Sequence, residues 1–91
     1  MRNSTFTAQF RRDLRKLEHR GYDMQKLKKI ITLLLNEEQL PTHCRDHALK
    51  GKWKSYRELH IEPNWLLVYK VVSGNDYVFY RTGTHADLFS L

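Results

Sequence analysis

The sequence predicts an α+β fold in which a helical hairpin covers one face of a small antiparallel sheet. Two observations predict it. Apolar residues recur at helical spacing early in the chain, and three strand-like runs joined by short turns occupy its second half. Because short turns join neighbouring strands antiparallel, the expected order is β-α-α-β-β-β, with about four strands. We expect residues 1–91 to form one domain with a single modest core.

The first part of the chain predicts a short strand over residues 3–6 and then two helices. Thr7 is the expected N-cap of the first helix, Gly21 is a stop signal after it, and Asp23 is the expected N-cap of the second helix. The apolar stripe of the first helix is Phe10, Leu14 and Leu17. The wider stripe of the second is Met24, Leu27, Ile30, Ile31, Leu34 and Leu35. Two or three residues separate these helices, which predicts a hairpin.

Residues 36–54 show no clear period, and we expect an irregular loop of a length that is often functional. The strand-like runs that follow are 55–61, 64–72 and 77–82. On the last run, simple alternation places Arg81 on the same face as Tyr77 and Phe79. Residues 84–89 are expected to form a final helical turn. The face of the sheet away from the helices is then partly open, and we expect His60, Arg81 and His85 to converge on it.

Composition points to a polyanionic partner. The formal net charge is +6 and the sequence pI is about 9.7, which favours nucleic acid, an acidic protein or a membrane surface. The longest apolar run is far shorter than a membrane span, and the N-terminus does not resemble a signal peptide. The single cysteine, Cys44, excludes an internal disulfide and fits a reducing compartment. We therefore expect a cytoplasmic protein with no membrane partner.

Three histidines, His47, His60 and His85, are the main candidates for chemistry. Imidazole exchanges protons near neutral pH, and these three are interleaved with Lys, Arg and Trp. Arg81, among aromatic residues, is expected to have an anionic partner, either a structural carboxylate or a phosphate. The pattern contains no phosphate-binding glycine loop and no serine nucleophile motif. It favours RNA chemistry in which a base takes the 2′-OH proton, an acid protonates the leaving 5′ oxygen, and a cation stabilises the charge.

A metal site is the alternative use of some of these residues. His43, Cys44 and His47 place three potential ligands within five residues, but no second ligand pair follows at matching spacing. We expect no metal and no cofactor.

Three motifs in one order resemble the YafQ branch of the RelE toxins. They are DHALKGKWK at residues 46–54, YRELHIEP at 56–63 and RTGTHADLF at 81–89. The resemblance covers nearly the whole chain. It implies a RelE-like fold and an mRNA interferase of a type II toxin–antitoxin pair, which cuts mRNA in the A site of the 70S ribosome. It also implies a cognate antitoxin encoded in the same operon, with operator DNA bound only through the antitoxin complex.

The resemblance assigns roles residue by residue. His85 is the implied general acid, His47 or His60 acts as base or orients the 2′-OH, and Arg81 holds the scissile phosphate. Other expected contacts to the mRNA are Trp65, Phe89, Lys50, Lys52 and Asn64. The expected contacts to 16S rRNA are Arg11, Arg12, Arg15, Lys16, Lys28 and Lys29. The chain departs from the family at Asn64, where the resembling proteins often have Asp.

The competing interpretation is a non-catalytic basic module that only binds RNA or an acidic antitoxin. Binding alone requires lysines and arginines, not groups that titrate near neutrality. The set of His47, His60, Arg81 and His85 therefore favours the endoribonuclease.

Overall fold

A five-stranded mixed sheet with a helical hairpin packed on one face forms the framework of the computed structural model, which describes residues 2–89. The predicted α+β class and RelE-like arrangement are confirmed. The elements in chain order are β1 (Asn3–Phe6), α1 (Ala8–His19), α2 (Met24–Leu35), β2 (His47–Ala48), β3 (Arg57–Glu62), β4 (Trp65–Val72), β5 (Asp76–Gly83) and α3 (His85–Phe89). No helix within residues 2–89 has the length and apolar content needed to cross a membrane.

The helix boundaries follow the local signals. The Thr7 hydroxyl oxygen accepts a hydrogen bond from the backbone N–H of Phe10 at 3.0 Å, and the Asp23 carboxylate accepts one from Gln25 at 2.9 Å. Each bond satisfies an N–H that has no partner inside its helix. Gly21 adopts a positive φ of 87° just past α1, a conformation that suits glycine.

The sheet order is β1-β5-β4-β3-β2, and it differs from the prediction in two respects. β1 pairs parallel with β5, and two helices and three strands separate these neighbours in the chain, so no short turn dictates an antiparallel pair. The segment expected to be an irregular loop contributes β2, which pairs antiparallel with β3 and places His47 opposite Glu58. The expectation of about four antiparallel strands therefore becomes five strands in a mixed sheet.

The core lies between the helices and one face of the sheet. Its largest fully buried side chains include Phe10 and Leu17 from α1, and Trp65, Tyr69 and Phe79 from the sheet. β4 is buried on both faces, as its continuous apolar run predicts, since Leu66 and Val68 on the other face are also covered. We call the face opposite α1 and α2 the open face.

A β-bulge in β5 places Arg81 on the open face, as expected, and not on the face of Phe79 as simple alternation predicts. Tyr69 lies opposite Phe79, but Val68 lies opposite Arg81, so Tyr80 is an extra residue in the ladder. Regular alternation would have placed Arg81 beneath the helices with Phe79. The bulge instead brings Arg81 to the side of Val68, on the open face, and the predicted shared face with Phe79 is wrong.

Candidate active site

His60 and His85 meet on the open face, with ring centres 6.0 Å apart. His60 lies on β3 between Leu59 and Ile61, which point into the core, so alternation directs its imidazole to the open face. His85 is the first residue of α3 and is exposed. The expected meeting of these two histidines is thus present, although they are 25 positions apart in the chain.

Asn64 orients His85. Its side-chain oxygen accepts the backbone N–H of His85 at 3.1 Å and lies 2.9 Å from the ring Nδ1. The backbone N–H is always a donor, so the amide atom that faces it is the oxygen, and Nδ1 must carry the hydrogen of the second contact. The other ring nitrogen, Nε2, is then the one available to a substrate.

The carbonyl oxygen of Pro63 orients His60 in the same way. It lies 3.3 Å from Nδ1 of the ring, so this nitrogen is the donor in that contact. A neutral His60 then carries its lone pair on Nε2, which is the form that accepts a proton.

His47 lies between two acceptors. Its Nδ1 is 2.6 Å from the backbone oxygen of Arg45, and its Nε2 is 3.5 Å from the carboxylate of Glu58. These two contacts hold the ring at both of its nitrogens. Glu58 is 7% exposed and directs its carboxylate at the ring from the neighbouring strand. The sequence did not predict the contact between Glu58 and His47. The sequence places Glu58 only on the same strand face as His60.

Asp46, the residue before β2, fixes the start of that strand. Its carboxylate oxygen accepts hydrogen bonds from the Arg57 guanidinium at 3.2 Å and from the Tyr69 hydroxyl at 2.8 Å. Burial, followed by the bond to Asp46, raises the pKa of Tyr69. The contact ties the segment that carries His47 to two strands of the sheet.

Arg81 reaches from the open face around the end of β5 to α1. Its Nε and Nη2 donate to the Asp13 carboxylate at 2.8 and 3.1 Å. These bonds raise the pKa of Arg81, and Asp13 is only 3% exposed. The anionic partner expected for Arg81 is therefore a structural carboxylate, and the rest of the guanidinium is left for a second anion.

Asp87 anchors α3. It receives two hydrogen bonds from Arg20, at 2.9 and 3.1 Å, and one from the backbone of Thr84 at 2.9 Å. The bonds from Arg20 are the main cause that lowers the pKa of Asp87 far below its ordinary value. Gly83 precedes this turn, and a Cβ there would lie 2.9 Å from the Asp87 side chain.

The structure corrects the expected role of Trp65. Its side chain is fully buried, packs edge-on against Tyr22 at 5.1 Å and donates through Nε1 to the Thr82 hydroxyl at 3.0 Å. Its ring is therefore not available to contact mRNA, and it supports the site from beneath the sheet.

Phe89 is available, since it is 45% exposed and its ring centre lies 6.5 Å from that of His85. It lines a recess of about 110 Å³ together with Arg81. The other residues of the recess are Leu49, Trp53, Val68, Tyr80 and Leu88. Lys50 and Lys52 are exposed on the loop beside Trp53, and the Lys52 amine lies 5.8 Å from the Trp53 ring.

The basic residues of the helices are exposed, as expected for a contact surface. They are Arg11, Arg12, Arg15, Lys16, Lys28 and Lys29. None of them belongs to the histidine cluster, which lies on the opposite face of the sheet.

Comparison with known proteins identifies the family. Residues 2–90 match the family described as the bacterial toxin of the type II toxin–antitoxin system, YafQ. The mRNA interferase toxin YafQ of Escherichia coli K12 is 44% identical over 89 residues, which span 97% of this chain and 96% of that protein.

Solved structures agree with this match. The crystal structure of the E. coli DinJ–YafQ complex contains a chain with 43% identity and a TM-score of 0.89, covering 98% of this chain and 99% of that one. A metal-bound toxin from Helicobacter pylori has 36% identity and a TM-score of 0.91, covering 98% of this chain and 100% of that one.

A metal centre of the zinc or copper type requires three or four ligand side chains close together. Within the described span, 2–89, no three His, Cys, Asp or Glu side chains gather closely enough to hold a metal ion. The Cys44 sulfur lies 3.9 Å from Nε2 of His43, but the His47 ring instead contacts Arg45 and Glu58. The chain belongs to the YafQ family of toxins of type II toxin–antitoxin systems.

Proposed function

We propose that this chain is an mRNA interferase, an endoribonuclease that cuts mRNA in the ribosomal A site and so inhibits translation. The observation that carries the proposal is the pair formed by His60 and His85, whose ring centres lie 6.0 Å apart with each Nδ1 held by a protein oxygen. The family and the 44% identity to an mRNA interferase support the same function.

The reaction that fits this pair is attack of the ribose 2′ oxygen on the neighbouring phosphorus. His60, neutral, takes the 2′-OH proton on Nε2, and the oxygen forms a bond to phosphorus. The bond from phosphorus to the 5′ oxygen breaks, and His85, protonated, gives its Nε2 proton to that oxygen. The products are a 2′,3′-cyclic phosphate and a 5′-OH, and one proton has moved through each histidine.

Arg81 stabilises the negative charge that develops on the phosphate. It has three guanidinium hydrogens beyond the two that Asp13 accepts. His47, held at both ring nitrogens by Arg45 and Glu58, helps to orient the 2′-OH. His60 is the proposed base, because Pro63 holds its Nδ1 and leaves Nε2 to face the substrate.

The flanking contacts position the mRNA. Phe89 stacks on a base at the recess beside Arg81, and Lys50 and Lys52 bind backbone phosphates. Asn64 acts by holding His85. The surface of exposed arginines and lysines on α1 and α2 is the proposed contact to 16S rRNA, because exposed cations bind backbone phosphates.

A cognate antitoxin encoded in the same operon is the proposed protein partner, since the E. coli relative was solved in complex with DinJ. Between α1 and α2 lies an apolar groove of about 510 Å³ with a mainly basic rim. The groove is lined by Phe6, Phe10, Leu14, Met24, Leu27 and Ile31, with Arg11, Arg15, Lys28 and Glu18 beside them. An amphipathic acidic segment fits this groove and would cover residues that also contact the ribosome. Operator DNA is then bound only through the antitoxin complex, in the cytoplasm.

The test is single-turnover cleavage of mRNA on 70S ribosomes, compared with the same mRNA free in solution. Removal of a general acid or base typically costs about 10²–10⁴-fold in rate. We expect losses of that size for His85→Ala and His60→Ala, each with a circular dichroism spectrum like that of the wild type. Near-normal cleavage by both variants would instead support a non-catalytic RNA- or antitoxin-binding module.

A further inference from the structure

A buried carboxylate on α1 holds the guanidinium of Arg81. Asp13 is 3% exposed and accepts four hydrogen bonds. Two come from Arg81, at 2.8 and 3.1 Å, one from the backbone of Thr82 at 3.2 Å, and one from the Gln9 amide at 3.1 Å. A buried carboxylate with this many donors is fixed in place, because any rotation would leave donors without partners.

The contact uses one edge of the guanidinium. Asp13 takes Nε and Nη2, which form the side edge, so both hydrogens of Nη1 and the second hydrogen of Nη2 remain at the far end. That end is a planar fork of the kind that binds two phosphate oxygens. The carboxylate therefore sets which edge of Arg81 is presented to a ligand.

Arg81 lies on a part of β5 that has no neighbouring strand on one side. The pairing of β5 with β1 ends at Phe79, before the bulge at Tyr80. Without a partner, the long side chain on this strand end would sample many rotamers. Asp13 is the group in α1 that reaches the unpaired part of β5, and it also binds the Thr82 N–H there.

We propose that Asp13 is a positioning residue of the nuclease site, which acts on the scissile phosphate only through Arg81. The proposal rests on the function proposed above. Misplacing a reacting or stabilising group by about 1 Å can cost about 10²-fold in rate. Asp13→Asn keeps the shape and the Thr82 contact but removes the charge that holds the guanidinium. We expect it to slow single-turnover cleavage about 10- to 100-fold and to leave ribosome affinity within twofold of the wild type.

A double-mutant cycle separates this role from a general structural one. If Asp13 acts through Arg81, Asp13→Asn adds no further loss in an Arg81→Ala background. Glu38→Gln changes an exposed acid outside this contact in the same way, so it is the control and should cleave like the wild type. A further loss of tenfold or more in the Arg81→Ala background would overturn the proposal. So would wild-type cleavage by Asp13→Asn while Arg81→Ala is impaired.

A second variant covers the case in which Asp13→Asn does not fold. Arg81→Lys keeps one positive charge, but a single ammonium paired with Asp13 has no second edge for the phosphate. We expect it to be nearly as slow as Arg81→Ala, and cleavage close to wild type would overturn the inference. Full activity of Arg81→Ala itself would instead refute the proposed role of Arg81, which distinguishes failure of the function from failure of the inference.

Discussion

The side-chain oxygen of Asn64 lies 2.9 Å from Nδ1 of His85 and 3.1 Å from the backbone nitrogen of the same residue. Two contacts from one oxygen fix both the ring and the start of α3. They leave Nε2 as the ring nitrogen that meets the leaving oxygen. A carboxylate at position 64 would make the same two contacts but would add a charge.

We expect Asn64→Asp to keep or raise cleavage and to shift the pH optimum upward. A carboxylate beside Nδ1 stabilises the imidazolium, so His85 keeps the proton that it donates up to a higher pH. The measurement is the single-turnover rate across pH for both forms. Asn64→Ala removes both contacts and should slow cleavage at every pH. A lower rate for Asn64→Asp across the whole range, in a folded sample, would show that the amide itself is required.

Glu58→Gln tests how His47 is held. The carboxylate of Glu58 lies 3.5 Å from Nε2 of His47, whereas an amide at this place can also present its NH₂ group to the ring. We expect single-turnover cleavage to be about tenfold slower, because a misplaced side chain in the site costs rate. Glu62→Gln is the control, because Glu62 lies on the same strand but pairs with Lys26 at 2.6 Å. A wild-type rate for Glu58→Gln would show that this contact does not position His47.

Gly83→Ala should reduce cleavage by moving α3. The new Cβ would lie 2.9 Å from the Asp87 side chain, so Asp87 must shift away from Arg20 or from the Thr84 N–H. Because α3 carries His85 and Phe89, we expect a loss of roughly 10- to 100-fold in the single-turnover rate. Normal cleavage by Gly83→Ala would show that the position of α3 is not critical.

The Asp87 anchor also predicts how stability depends on pH. The folded pKa of Asp87 is lowered, so its contribution is complete above the ordinary aspartate value, about 3.9, and is lost as the pH falls toward the folded pKa. Asp87→Asn should therefore melt several degrees below the wild type at neutral pH, and the two melting temperatures should converge in acid. A difference that stays constant below pH 4 would mean that the effect is not electrostatic.

Local signals were enough to locate the helices and four of the five strands of this fold. Thr7 and Asp23 cap the two helices because each side-chain oxygen meets an N–H two or three residues away, and such contacts depend only on the nearby sequence. The apolar run of β4 and the short turns on either side predict its central, antiparallel place in the same way.

Long-range contacts explain what the sequence did not predict. The bulge at Tyr80 turns Arg81 to the open face, and alternation carries no sign of it. Asp13 sits in a helix whose outward residues are strongly basic, so its burial becomes visible only when Arg81 and Thr82 are in place. The burial of Trp65 was not predicted for the same reason. A tryptophan after a turn can point to either face of the sheet, and the strand register decides which.

The basic surface of α1 and α2 gives the last prediction. Arg11→Glu, Arg15→Glu and Lys28→Glu combined should weaken ribosome binding, because cations bound to phosphates release counterions when the complex forms. In a salt series, the slope of log affinity against log salt should fall by about one for each lost phosphate contact. The same three positions changed to Gln form the graded control, which loses the contacts without adding repulsion. Because these residues also edge the groove between the helices, both variants should bind the antitoxin more weakly. Unchanged ribosome co-sedimentation across the salt series, with the fold intact, would mean that this surface does not contact rRNA and that the toxin docks through its open face alone.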